Sequence, residues 1–428
     1  MARRLFPRLT EWLRRLPDRR DREACDYSNA ALAWTAMLMY VGRLEARRHI
    51  GFLLDTPLSL GRLAALCGED VPGVPDGDTI DDYLAATDPA ATQEIPPAMV
   101  RALLQSRRLE AFRLLDRWYL LTVDMTGHLY LGDRKSAFTE GCLTQKAEDG
   151  RTLYYRPVCE AKLVTRTGLA LSVGSEFVEN PPGPPPDTQD SELPAAARLL
   201  ARVKKAFPGF AFCALLDSRY CNETGFALCE KNDWRFIITL QEGSLPSVWH
   251  EFQSLRRLTP DNRRTVIADG VRYEYAWVNG IAYGARALNV LECRWSDADG
   301  DHRFAWVTDI PVTAERCEPL AQDGGRDRWR TENEGFRAQK HGGFKMEHAY
   351  AKRPRSAKNF YLLLQAAHIL SQLFECRCRG KKIVKQTFGS LRNLARIFLE
   401  SFRRDPLPDP ETLRRFLDEP IQVRLDSS

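Results

Sequence analysis

Two compact apolar runs each close on an aspartate: WYLLTVD ends at Asp124 and FAFCALLD ends at Asp217. Aromatic and β-branched runs of this length read as buried strands. The turn-like Met125-Thr126-Gly127 places Asp124 at the tip of the first. Open α/β sheets carry their chemistry at such strand ends. These two segments therefore fix both the fold class, α/β with a mixed sheet flanked by helices, and the first place to look for function.

The segments around them fill in that frame. TLYYRPVCEAKLVT and GLALSVGSEFV read as two strands joined through Arg166-Thr167-Gly168, and ENPPGPPPDTQDSEL as a Pro-rich surface loop. Leu193, Ala196, Ala197, Leu200, Val203 and Phe207 form one helical stripe. NETGFALCEKND is a short helix candidate and RFIITL a further strand. From Gln241 to Thr313 the chain turns β-rich and aromatic, in VRYEYAWVNGIAY, ALNVLECRW and HRFAWVTDI. It then becomes polar and helical through GRDRWRTENEGFRAQK and SAKNFYLLLQAAHILSQLFE.

Residues 1–115 read helical. Ser28-Asn29 can cap AALAWTAMLMYVGRLEARR, Thr79 can cap IDDYLAATD, and Pro96-Pro97 open AMVRALLQSRRLEAFRLLDRW. The expected division is a helical N-terminal region at 1–115, one part of a catalytic domain at 116–240, a β-rich insertion at 241–313, the second part at 314–380 and a basic helical region at 381–428.

Charge narrows the partners. The net value of +5 excludes a wholly acidic chain, but eight Arg face four acids in residues 1–23. Between Tyr350 and Arg404, thirteen Lys/Arg face two acids. Basic ends of this kind favour a polyanion, although each alone also reads as a solvated face. The arginine-bearing N-terminal helices suit a DNA-binding arm and a plain helical support layer equally. The longest apolar stretch, Ala30 to Gly42, is too short to span a bilayer. With no apolar core and cleavage site after the first residues, a cytosolic chain is expected. Eleven cysteines, scattered apart from Cys376-Arg-Cys378, suit reduced thiols, and no zinc-ligand spacing is present.

Acids contributed by distant segments suit phosphodiester chemistry, in which two divalent ions activate the attacking oxygen and stabilise the leaving one. Glu332 joins Asp124 and Asp217 as the third candidate, on a segment that also carries Arg328, Trp329 and Arg330. Mg²⁺ or Mn²⁺ takes oxygen ligands, so a few carboxylates suffice.

At this point the sequence resembles the DDE transposases of bacterial insertion sequences, which have a ribonuclease-H-like fold, particularly those with a β-strand insertion before the final Glu. The resemblance is carried by VDMTG around Asp124, YYRPVCEAKLV, LLDSRY at Asp217, WRFIITLQEGSLPSVW, and RWRTENEGFRAQKHGGFKMEH around Glu332. It runs from Tyr119 to Phe374. The related signature is Tyr, two residues, Arg, three residues, Glu, six residues, Lys. Here Arg328 fits, Gly325 stands at the Tyr position and Lys340 falls one residue late.

The resemblance implies binding to terminal inverted repeats, cleavage that leaves a 3′-hydroxyl, and attack of that hydroxyl on target DNA. It also implies oligomers assembled on DNA, no membrane, and a prokaryotic, nucleoid-associated location. Asp124 would bridge two Mg²⁺ or Mn²⁺ ions, and Asp217 and Glu332 would each complete one shell. Arg328, Arg330 and Lys340 would hold phosphates, with ordinary i,i+4 pairing the alternative for Arg330.

On an α-helix Glu332 and Glu334 cannot both face one metal pair, and the Arg328 spacing selects Glu332. Trp277, Trp295 and Trp306 are expected to pack in a core, with stacking on an unpaired base as the alternative. Glu160 and Lys162 read as ordinary exposed strand residues or as groups supporting Asp124. A ribonuclease-H-like nuclease without strand transfer, a non-catalytic DNA-binding relic and, more distantly, a glycosidase are the rival readings.

Overall fold

The computed structural model describes residues 1–20, 25–133, 135–181, 188–377, 386–406, 409 and 411–412. The proline-rich stretch at 182–187, Cys378 and much of the 381–428 region lie outside the described residues.

Ten strands form one sheet. They are β1 (Tyr119–Gly132), β2 (Leu143–Lys146), β3 (Thr152–Val164), β4 (Ala170–Phe177), β5 (Phe212–Leu216), β6 (Arg235–Thr239), β7 (Arg263–Ala268), β8 (Val271–Tyr283), β9 (Arg286–Asp297) and β10 (Gly300–Thr308). The order is β2-β3-β1-β5-β6-β10-β9-β8-β7, with β4 also paired to β3. β1, β5 and β6 run parallel, and every other pairing is antiparallel. The result is a large, mostly antiparallel mixed sheet flanked by helices.

Alternation along the strands gives the sheet two different faces. Leu121, Val123, Ala214, Phe236 and Ile238 join the larger core, against the Glu192–Ala206 helix. Leu120, Cys213, Leu215 and Ile237 face the other way and share a second core with Trp277, Trp295 and Trp306. The three tryptophans are buried as core residues, which removes them as exposed base-stacking platforms. Phe304 and Trp329 are left exposed, as are Phe52, Tyr130 and Phe138.

The helical N-terminal region is built around Asn29–Val41, buried on all sides from Asn29 to Tyr40, as a helix apolar all round must be. It packs on Pro354–Arg377. Ser28 caps it through Ala31 N, but it stops at Val41 because Arg43 and Glu45 take positive φ. The Gly77–Ala86 helix is capped by Asp76 rather than Thr79. The expected long helix after Pro97 is also shorter: Ile95–Gln105 ends before Arg107, which has positive φ, as do Leu115 and Asp116.

The β-rich insertion differs in two respects. It opens with a helix, Pro246–Leu258, and its last strand returns to pair with β6, so its four strands extend the main sheet. Every described cysteine is free, and no helix among the described residues is long and apolar enough to cross a membrane.

Candidate functional site

The position of Asp124 follows from register. β1 pairs with parallel β5 from Tyr119↔Phe212 to Thr122↔Leu215. Extending that register by two residues sets Asp124 level with Asp217, on the face that carries Leu120, Cys213 and Leu215. Asp124 is not at a strand tip, however. β1 runs on through Met125-Thr126-Gly127 to Gly132 because antiparallel β3 continues to pair with it; it is β5 that ends. The acid sits where the sheet loses its parallel neighbour, a natural opening for a ligand.

Asp217 starts a short 3-10 turn and accepts a hydrogen bond from Arg219 N at 2.9 Å. Asp124 accepts one from Met125 N at 2.9 Å. Burial pushes the Asp124 carboxyl up to about 6; Arg328 opposes the rise, while the charges of Glu192 and Asp217 add to it. The Asp217 charge therefore reaches Asp124.

Glu192 was not legible as a member of this group. It opens the helix after the proline-rich loop, where an acid reads as ordinary helix-dipole chemistry. It accepts from Tyr220 Oη and Arg219 Nη1, each at 3.1 Å.

The segment carrying the third candidate is not a plain α-helix. Gly325–Trp329 is a 3-10 turn and Thr331–Arg337 a π-helix, so angular arithmetic based on an α-helix does not hold. Two contacts fasten it to β1. The Thr331 hydroxyl hydrogen-bonds that of Thr122, and Arg328 Nη1 lies 3.8 Å from Asp124 Oδ2. Glu332 follows Thr331 directly, is exposed, and makes no ion pair with the described residues. Glu334 is turned to Arg330 at 3.5 Å and lines a small cavity with Thr167 and Gly168.

The other proposed phosphate contacts have protein partners. Arg330 donates to Asp327 at 2.9 Å and to the Arg166 carbonyl at 2.7 Å, and Lys340 pairs with Glu347 at 3.1 Å. Gly325, where the signature has Tyr, has no room for a side chain: a Cβ there would lie 2.3 Å from Trp306 Cε2. The indole fills that space from the insertion.

Glu160 and Lys162 are fully buried, contrary to the expected strand exposure. Glu160 stands directly across from Asp124 in the β1–β3 register. It is occupied by Ser172, by Tyr361 Oη at 2.8 Å and by Lys162 at 3.6 Å. Lys162 in turn donates to Gln365 at 3.0 Å. Burial of the helix face above is what accommodates them, because each charge has a partner.

Among the described residues no group of three or more His, Cys, Asp or Glu side chains is placed to hold a metal ion. The donor chemistry of Asp124 and Asp217, two sets of hard carboxylate oxygens, fits a hard divalent cation. That fit extends to the pair; Glu332 is connected to it through Thr331 and Arg328.

No family model matches the chain, and no curated protein sequence matches it. Among solved structures, a piggyBac transposase synaptic complex with hairpin DNA is similar with a TM-score of 0.38 and 9% identity, over 98% of this chain and 81% of that chain.

Proposed function

We propose that this chain is a DDE-type DNA transposase with a ribonuclease-H-like catalytic core, cutting at terminal inverted repeats and joining 3′-hydroxyl ends to target DNA. The observation that carries the reading is the level placement of Asp124 and Asp217 on one face of neighbouring parallel strands, with the Arg328–Glu332 segment fastened beside them.

Asp124, Asp217 and Glu332 would hold Mg²⁺ or Mn²⁺. Bound there, two such ions supply an activated attacking oxygen and a stabilised leaving one. The chain's own residues do the rest. Arg328, beside Asp124, orients a phosphate through its guanidinium fork. Arg330 and Lys340 add phosphate contacts by exchanging their acidic partners for DNA. Glu160 stays out of the chemistry because Lys162, Ser172 and Tyr361 already satisfy it. Duplex DNA is the partner, and copies of the chain assemble on it, in the cytoplasm and at the nucleoid.

Purified chain incubated with Mg²⁺, a donor duplex carrying the DNA that flanks its coding sequence, and a supercoiled target tests this reading. Joined donor–target products are expected. Nicks alone support a nuclease without strand transfer, and binding without any product supports a non-catalytic relic.

A further inference from the structure

The face of β7–β10 opposite the buried tryptophans concentrates positive charge. By strand register Arg263, Arg272, Arg294 and Arg303 lie on it, one on each of four strands, and the Pro246–Leu258 helix brings Arg256 beside them. Glu292, 2% exposed, is at the centre. It accepts from Arg256 Nη1 at 2.7 Å, Arg294 Nε and Nη2 at 2.9 and 3.2 Å, and Arg303 Nε at 2.7 Å.

A carboxylate has about four acceptor sites, so Glu292 is saturated. One negative charge thus fixes three guanidiniums, and most of their roughly fifteen N–H groups have no acceptor among the described residues. Arg303 is further held over the Trp249 ring at 4.6 Å. Arg294 and Arg303 are 43% and 41% exposed, so their free edges meet solvent. Burial and the like charges of Arg294 and Arg303 lower the Arg256 pKa even with Glu292 at hand.

The other acids on this face do not cancel the excess. Glu274 pairs with Arg272 at 3.0 Å, and Asp301 accepts from Ser296 at 2.5 Å. Cations locked in place around a buried anion bear no ordering cost when an outside anion arrives. Planar forks set across several strands suit a repeating row of phosphates.

We propose that this face is a docking surface for the phosphodiester backbone of duplex DNA. The sheet is continuous through β6 and β10, and Glu292 lies on its reverse relative to Asp124 and Asp217. The surface therefore holds a stretch of DNA other than the one at those acids. The inference rests on the DNA reading above and assigns it a second contact.

The test is fluorescence anisotropy of the full chain with a labelled duplex of arbitrary sequence, titrated with KCl. Replacing Arg294 and Arg303 together by Gln should flatten the log–log salt slope by about 2, at about 0.9 per lost phosphate contact. Arg303→Lys, which keeps the charge, should retain the slope. Should the double variant not fold, Arg303→Gln alone, which leaves Glu292 two guanidiniums, should flatten it by about 1. A folded Gln variant with the parent slope and affinity overturns the docking surface while leaving the transposase reading in place. A parent chain that binds poly-glutamate and no DNA overturns both.

Discussion

Arg328 Nη1 lies 3.8 Å from Asp124 Oδ2, bringing a positive charge from the 3-10 turn to β1. The contact moderates an acid that burial has already pushed up to about 6.

The first prediction follows from the sign of that shift. A carboxyl near 6 in the fold and near 3.9 unfolded binds its proton more tightly when folded, so stability falls as pH rises from about 4 to 6. The cost at pH 7 is at most about 3 kcal/mol. Asp124→Asn removes it and should make the protein more stable at pH 7, by roughly 1–3 kcal/mol, while matching the parent near pH 4. Urea melts at the two pH values measure this; a variant less stable at pH 7 would contradict it.

Glu332 and Glu334 should separate by substitution. Glu332→Gln should reduce cleavage by about 10²-fold or more, as should Asp217→Asn. Glu334→Gln should cleave normally, and loss of its pair with Arg330 should cost at most about 1 kcal/mol. Loss of cleavage in Glu334→Gln alone would transfer the role.

Gly325 is expected to tolerate no side chain. Gly325→Ala sets its Cβ against Trp306 and should cost about 1–3 kcal/mol in a thermal or denaturant melt. An unchanged midpoint would mean that the indole moves aside freely.

The buried pair offers a sharper contrast. Lys162→Met leaves Glu160 charged and buried and should destabilise by about 3–5 kcal/mol. Adding Glu160→Gln should recover much of that loss. Equal stability of the single and double variants would show that Ser172 and Tyr361 satisfy the carboxylate without the ammonium.

The strands carrying Asp124 and Asp217 were legible because fully buried strands have unbroken apolar runs that no charged face interrupts. The two acids stood out for the same reason. The third segment was legible in its residues but not in its geometry: Arg328 and Glu332 have α-helical spacing, whereas packing against Thr122 and Lys162 imposes 3-10 and π turns. Gly335 shows the constraint, since a Cβ there would lie 2.9 Å from Lys162 Cε. Burial of Glu160 and Lys162 was illegible because composition marks charged residues as exposed, and only the partners supplied by Tyr361 and Gln365 reverse that. The Pro246–Leu258 helix was hidden by the aromatic, strand-forming texture that follows it.

The pairing of β10 with β6 also sets an order of assembly. During synthesis β6 emerges with one edge bare, and Trp306, Val307 and Thr308, which cover it, come only after the helix and three strands of the insertion. A nascent chain paused within the insertion would expose that edge to other chains, the usual start of aggregation. Successful expression of this protein should therefore depend on how quickly the ribosome clears residues 240–308.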